Sequence, residues 1–304
     1  MGDTAAGQTV SLTDGGVETT LIFAEGFELP AFAAFPLLYD QAGQAALGRY
    51  FESFLTLAEQ TSAPFVIDTP TWRANPDWGE QLGWSAEGLR SANADAVAFV
   101  RAQADAHPSV STLVSGVLGP RGDGYAVTDR MTATEAADYH APQIDALATA
   151  GAERISAMTL TYPEEAIGIV TAAAARGIDV VPSFTVETDG RLPDGSSLTD
   201  AIARLDDETG GAALFTMVNC AHPTHILRGL GTDTDRLARI GGVRVNASSL
   251  SHAELDEADH LDGGDPVALG RAVAGLRGFL PGVHLLGGCC GTDARHVREI
   301  HAAW

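Results

Sequence analysis

Eight strand-sized apolar runs alternate with Ala-rich helical stretches along the chain, and this alternation constrains the fold more than any other feature. The runs cover about 9–14, 64–69, 110–117, 153–160, 178–185, 212–219, 239–246 and 283–288, and each is short, apolar and rich in β-branched residues. Between them the pattern predicts helices over Gln41–Gln60, Ala86–Ala106, Ala133–Ala150, Glu164–Arg176, Ser197–Glu208, Pro266–Phe279 and Ala294–Ala302. Parallel strands need crossover connections, usually helices, so eight such units in 304 residues close naturally into a (β/α)8 TIM barrel. A doubly wound sheet is the alternative, but it usually has fewer strands and a glycine-rich phosphate turn. No Walker A or Gly-x-Gly-x-x-Gly element opens a helix after a strand here. No linker or low-complexity segment divides the chain, which implies one domain over 1–304. Long loops are expected at Gly26–Leu38, Trp72–Trp84 and Asn246–Gly264, and long loops in a compact domain tend to carry function.

Composition narrows the function. No apolar run approaches bilayer length, and Met1 to Val10 lacks a basic region followed by an apolar segment, so no membrane association and a cytoplasmic location are expected. The formal charge is −22, with the 18 basic residues scattered, which argues against nucleic acid because phosphate binding needs clustered cations. The acidity reads as a solvated face that keeps the protein soluble. All 18 basic residues are arginine, so Schiff-base chemistry and PLP attachment, which need a lysine amine, are excluded.

There are three cysteines: Cys220 in Met217-Val218-Asn219-Cys220, and the adjacent pair in Gly287-Gly288-Cys289-Cys290. Three cannot all pair, and adjacent ones rarely bridge each other, so reduced thiols in a reducing compartment are expected. All three fall at strand ends, on strands 6 and 8, which lie two places apart around the barrel and on the rim where barrel chemistry resides. Three thiolates converging there would hold zinc with one open coordination position, as catalytic zinc is held. A packed, inert thiol is the alternative for Cys220 taken alone. At a glycine-rich strand end the backbone can turn so that both Cys289 and Cys290 reach one ion.

Other rim residues are candidates for substrate contact. Asp14-Gly15-Gly16 ends the first strand: it is either a plain tight turn or a place where Asp14 accepts hydrogen bonds from an ammonium group while the glycines admit a ligand. Trp72 and the Phe32/Phe35 pair are either packing or the wall of a pocket. His222 and His225 read as the start of a helix after the Cys220 loop, with metal ligation as the alternative. Thr159 ends strand 4, Asn219 ends strand 6 and Asn246 ends strand 7.

Together, Asp14-Gly15-Gly16-Val17-Glu18-Thr19-Thr20-Leu21, Ser115-Gly116-Val117-Leu118-Gly119-Pro120-Arg121-Gly122, Asn219-Cys220, Asn246-Ala247 and Gly287-Gly288-Cys289-Cys290-Gly291-Thr292 resemble the homocysteine S-methyltransferase family over nearly the whole chain. The resemblance implies a barrel in which Cys220, Cys289 and Cys290 are the zinc ligands and carry catalysis. It further implies that Asp14, Gly15, Gly16, Trp72, Thr159, Asn219 and Asn246 contact substrate. The implied reaction moves a methyl group from a sulfonium, quaternary ammonium or similar donor to a small thiol, homocysteine first, without cobalamin, nucleotide or PLP. A different thiol acceptor, or a zinc- or thiol-binding barrel without turnover, is the alternative; the oligomeric state is left open. Members often carry Glu-Thr at the end of strand 4, where the acid helps hold the homocysteine amino group, and this chain has Met158-Thr159 instead. Glu18 stands where a glycine is common. Asp14 is then left as the ammonium partner, which implies weak homocysteine binding or preference for a thiol without that group.

Overall fold

The computed structural model describes residues 9–128, 130–258 and 260–304. The reading of residues 1–8 as free of a targeting signal, and their place in a 1–304 domain, lie outside the described residues. Eight parallel strands close in sequence order: β1 (Ser11–Leu12), β2 (Phe65–Asp68), β3 (Thr112–Leu118), β4 (Arg154–Leu160), β5 (Asp179–Phe184), β6 (Thr216–Ala221), β7 (Ile240–Val245) and β8 (Leu285–Gly288). β8 returns to β1, Ser11 pairing with Leu285 and Leu12 with Leu286. The chain is a (β/α)8 barrel, as its alternation of strand and helix requires.

Period-two alternation divides each strand between two cores. Phe65, Ile67, Val114, Leu118, Ile155, Ala157, Val180, Val218, Val243, Val245 and Leu286 belong to the large core shared with the helices. Val66, Val117, Met158, Val181, Phe215, Met217 and Leu285 form a smaller cluster, with Trp72 and Leu113 packed against it. The alternate positions also carry Asp68, Ser115, Ser156, Ser183, Asn219 and Arg244, all buried and hydrogen-bonded, so polar side chains occupy sites that branched aliphatics usually fill in such barrels.

The helices form where caps and apolar stripes coincide. Asp40 accepts from the Gly43 N–H and starts Gln41–Thr61, which buries Leu47, Tyr50, Phe51, Phe54, Leu55 and Ala58 on one face. A reciprocal Thr132/Glu135 capping box starts Ala133–Thr149. Gly177 and Gly210, with φ of 72° and 62°, end the helices Pro163–Arg176 and Leu198–Thr209. Two expectations need correcting. The sixth strand begins later and runs past Cys220 to Ala221, because Ala212 to Phe215 go to a turn and to the strand's approach. The helix expected over Pro266–Phe279 stops at Ala274, where Gly275 has poor helical propensity. The long loops carry structure of their own: a helix at Pro76–Gln81, another at His252–Asp256, and helical turns at Pro30–Phe32 and Phe35–Tyr39.

A three-thiol centre at the barrel mouth

Cys220 lies inside β6 at a register shift against β7, between Asn219 and Ala221. Its φ is +56°, in the left-handed region that an L side chain rarely occupies. That conformation is held because the Cys220 carbonyl accepts from Asn246 Nδ2 at 3.0 Å and from Thr185 Oγ1 at 3.4 Å, with His252 Nε2 at 2.7 Å. On β4, Thr159 has φ +62° beside another register shift. Asn219 clamps it from both sides: Asn219 Oδ1 accepts from the Thr159 N–H at 2.8 Å, and Asn219 Nδ2 donates to Thr159 Oγ1 at 2.8 Å. Strain of this kind persists only where surrounding bonds over-determine it, and it concentrates at functional sites.

The adjacent cysteines follow β8 in a turn rather than in regular extended backbone. The Cys289 N–H donates to the Val245 carbonyl, the Ala247 N–H donates to the Cys290 carbonyl, and Thr292 closes back on the Cys289 carbonyl through N–H and Oγ1, at 3.1 and 2.7 Å. Gly16 is required by crowding here: a Cβ on it would sit 2.6 Å from the Cys289 carbonyl oxygen. The β1 and β8 turns therefore press directly against each other. With the pair turned this way, the sulfurs of Cys220, Cys289 and Cys290 all lie within 4.8 Å of one another. No other cluster of three metal-ligating side chains this close occurs among the described residues. The thiols are free, and in the metal-free cluster Cys289 is held well below the ordinary cysteine value by hydrogen bonds from Cys220 and Cys290, with help from Arg244. Cys220 is pushed up by its hydrogen bond to Cys289, and Cys290 by that to Cys220.

A cavity opens over these sulfurs. Asp14, Gly15, Gly16, Trp72, Thr159 and Asn219 all line it with the three cysteines, so six of the seven candidate substrate residues come together. Asn246 does not line it and sits behind, holding the Cys220 carbonyl. His222 caps the helix Pro223–Gly229, whose ordinary start it supplies, and His225 is buried within that helix. Phe32 lines the cavity, whereas Phe35 packs on Trp84 away from it.

Three cavity residues matter that sequence reasoning passed over or left without a role. Tyr125, from the loop after β3, places its hydroxyl 3.5 Å from Cys220 Sγ and 3.8 Å from Cys290 Sγ, and its ring stacks on His252 at 4.2 Å. Nothing in the local sequence marks it. Arg244 bonds both Asp14 and Asp68, and its Nε donates to the Gly288 carbonyl at 3.0 Å. Its signal was visible as a charge inside the apolar run of β7. Burial would lower its pKa, but Asp14 and Asp68 outweigh that and hold it above the usual value. Glu18, on the turn after Gly16, also lines the cavity. Asp14 and Glu18 are each raised to about 7, chiefly by burial.

Known proteins place this geometry. A family model described as homocysteine S-methyltransferase matches residues 11–304. Homocysteine S-methyltransferase YbgG of Bacillus subtilis is 26% identical over 204 residues, 63% of this chain and 61% of that protein. The methionine synthase of Mycobacterium leprae is 31% identical over 133 residues, 43% of this chain but only 10% of that protein. The chain thus spans between a tenth and three fifths of the length of these curated relatives. Among solved structures, the oxidized form of the homocysteine methyltransferase MmuM from Escherichia coli superposes with a TM-score of 0.80 at 20% identity, covering 98% of this chain and 97% of that one, which shows a shared fold. The chain belongs to the homocysteine S-methyltransferase family.

Proposed function

We propose that the protein is a zinc-dependent S-methyltransferase, transferring a methyl group from a sulfonium or similar donor to a small thiol, with homocysteine the first acceptor to test and methionine its product. The observation that carries this reading is the convergence of the chain's three cysteines within 4.8 Å at the floor of a cavity, in a member of this family. A three-sulfur set suits zinc by ligand softness and leaves room for one more donor. Cys220, Cys289 and Cys290 would hold the ion, which when bound lowers the pKa of a coordinated thiol and favours thiolate at neutral pH.

The chain's own residues set up the rest. Arg244, beside Cys289, favours negative charge on sulfur at this end of the cavity. Trp72, Phe32 and Tyr125 wall the cavity with aromatic faces and limit water. The methyl carbon bonds to the acceptor sulfur as its bond to the donor breaks, and the bonding pair leaves with the donor, so a cationic donor departs as a neutral thioether or amine. Positioning for in-line attack supplies the rate. We also propose that the barrel acts as one domain and works in the reducing cytoplasm, which suits unbridged thiols, with small molecules rather than nucleic acid as its ligands. No helix among the described residues is long and apolar enough to cross a membrane.

One observation favours a second acceptor: β4 presents Met158 and Thr159 to the cavity where an acid is common in this family. The test is incubation of the zinc-loaded protein with homocysteine and with amine-free thiols, each with S-methylmethionine, S-adenosylmethionine and betaine, read by mass spectrometry. A thioether product supports the reading. No methylated thiol with any pair, from protein carrying stoichiometric zinc, overturns it.

A further inference from the structure

A cation entering this cavity would meet three carboxylates, and two of them are already occupied. Asp14 Oδ1 bonds Arg244, and its carboxylate also receives the Tyr50 hydroxyl. Asp68 Oδ2 takes Arg244 and Thr13, so its charge is already paired, while Asp68 Oδ1 is buried without a partner. The β4 side offers no acid, and Asn219 Oδ1 is spent on the Thr159 N–H and the Ser183 hydroxyl at 2.8 and 2.7 Å. Glu18 differs. It lines the cavity, remains partly exposed to it, and has no hydrogen bond or ion pair to another residue. Arg73, the nearest other guanidinium by its electrostatic influence, is sandwiched at 3.9 Å between Trp72 and Trp78 and donates to the Gly122 carbonyl, making no ion pair with Glu18.

We propose that Glu18 is the specificity-determining residue that receives the ammonium group of an amino-bearing thiol acceptor, doing from the turn after β1 what an acid at the end of β4 does elsewhere in the family. This rests on the thiol methyltransferase reading. The pairing supports it: Asp14 and Asp68 are both engaged by Arg244, whereas Glu18, on the same wall, has no ion-pair partner. Burial pushes the Glu18 carboxyl up to about 7, as expected for an acid with no ion-pair partner. Arg244, meanwhile, is engaged with Asp14, Asp68, Gly15 and Gly288, and the two carboxylates offset its charge toward an ammonium at Glu18.

The test is calorimetric titration of the zinc-loaded protein, wild type and Glu18→Gln, with homocysteine and with its desamino analogue, γ-mercaptobutyrate. Loss of one charge-assisted hydrogen bond should weaken homocysteine roughly tenfold or more in Glu18→Gln while γ-mercaptobutyrate changes by less than about twofold. Glu18→Asp should recover part of the homocysteine affinity. Zinc content and far-UV circular dichroism of each variant confirm the fold. Unchanged homocysteine affinity in Glu18→Gln, equal weakening of both thiols, or no homocysteine binding by the wild type overturns the proposal. The two readings fail separately: methyl transfer to homocysteine with affinity indifferent to Glu18→Gln removes Glu18 and leaves the transferase. Selective loss of homocysteine binding without any methyl transfer removes the transferase and leaves Glu18.

Discussion

At the residue scale, the site is built from side chains whose company matters more than their identity. Three sulfurs within 4.8 Å of one another can share a divalent ion, and removing one leaves too few donors. Serine at Cys220, Cys289 or Cys290 is therefore expected to abolish most bound zinc and nearly all turnover, with a melting temperature close to that of the metal-free wild type because the cysteines lie at the rim; wild-type zinc by elemental analysis in the triple serine variant would sink the assignment. Arg244 is the opposite case, a buried cation whose loss strands two carboxylates. Arg244→Met should cost about 3–5 kcal/mol of stability, whereas combining it with Asp14→Asn and Asp68→Asn should recover most of that loss. Chemical denaturation of the wild type, Arg244→Met, the Asp14→Asn/Asp68→Asn double variant and the triple variant checks this, and an additive or larger loss in the triple variant would contradict the view that stranded charge is the cost.

At the element scale, β4 and β6 each break their regular pairing just where the cavity begins, and Asn219 ties the two breaks together across β5. The clamp satisfies a buried N–H and two hydroxyls while holding Thr159 at positive φ. Asn219→Ala leaves those groups unpaired, at about 1–3 kcal/mol of stability. Because Cys220 follows directly, the same variant should bind zinc more weakly in competition with a chelator. A stability loss with unaltered zinc affinity would mean that the clamp serves β4 alone. Helix boundaries, by comparison, follow from local chemistry: predicted Gln41–Gln60 and observed Gln41–Thr61 agree because Asp40 caps the start and the apolar stripe continues to the end.

At the scale of the whole molecule, the barrel mouth buries acids that the unfolded chain exposes. Asp14 and Glu18 rise from 3.8 and 4.5 to about 7, so the folded state holds their protons more tightly. Their contribution to stability is complete below those ordinary values and is lost as pH climbs through about 7. The metal-free protein should therefore lose stability between about pH 4 and about pH 7 and level off above that, and Glu18→Gln should flatten part of that fall, becoming the more stable of the two at the alkaline end by on the order of 1–3 kcal/mol. Urea titrations across this range measure it. A difference between the two proteins that does not vary with pH would show that the Glu18 carboxyl does not titrate there. At neutral pH a cationic ligand should reverse the cost, linking the stability of the barrel to occupancy of its cavity.

The sequence by itself determined the alternation of strand and helix, the closure into a barrel, the family and the convergence of Cys220, Cys289 and Cys290 on one rim. These are legible because strand period, helix caps and strand order are local or topological, and a rim position follows from where an apolar run ends. It also brought Asp14, Gly15, Gly16, Trp72, Thr159 and Asn219 to the same end of the barrel, where they line one cavity. Only the tertiary structure decided how those residues are spent. Asp14 was open to a substrate when read along the chain, yet Arg244, 230 positions away, closes on it. Gly15 and Gly16 read as room for a ligand, but their missing side chains make room for the Thr292 and Cys289 carbonyls. Asn246 looked like a pocket residue and stands behind Cys220. Tyr125 carried no local mark at all and reaches two sulfurs. In each case the deciding partner is a side chain or carbonyl from a distant strand, and hydrogen bonding and charge compensation between distant strands leave no periodic trace in a sequence.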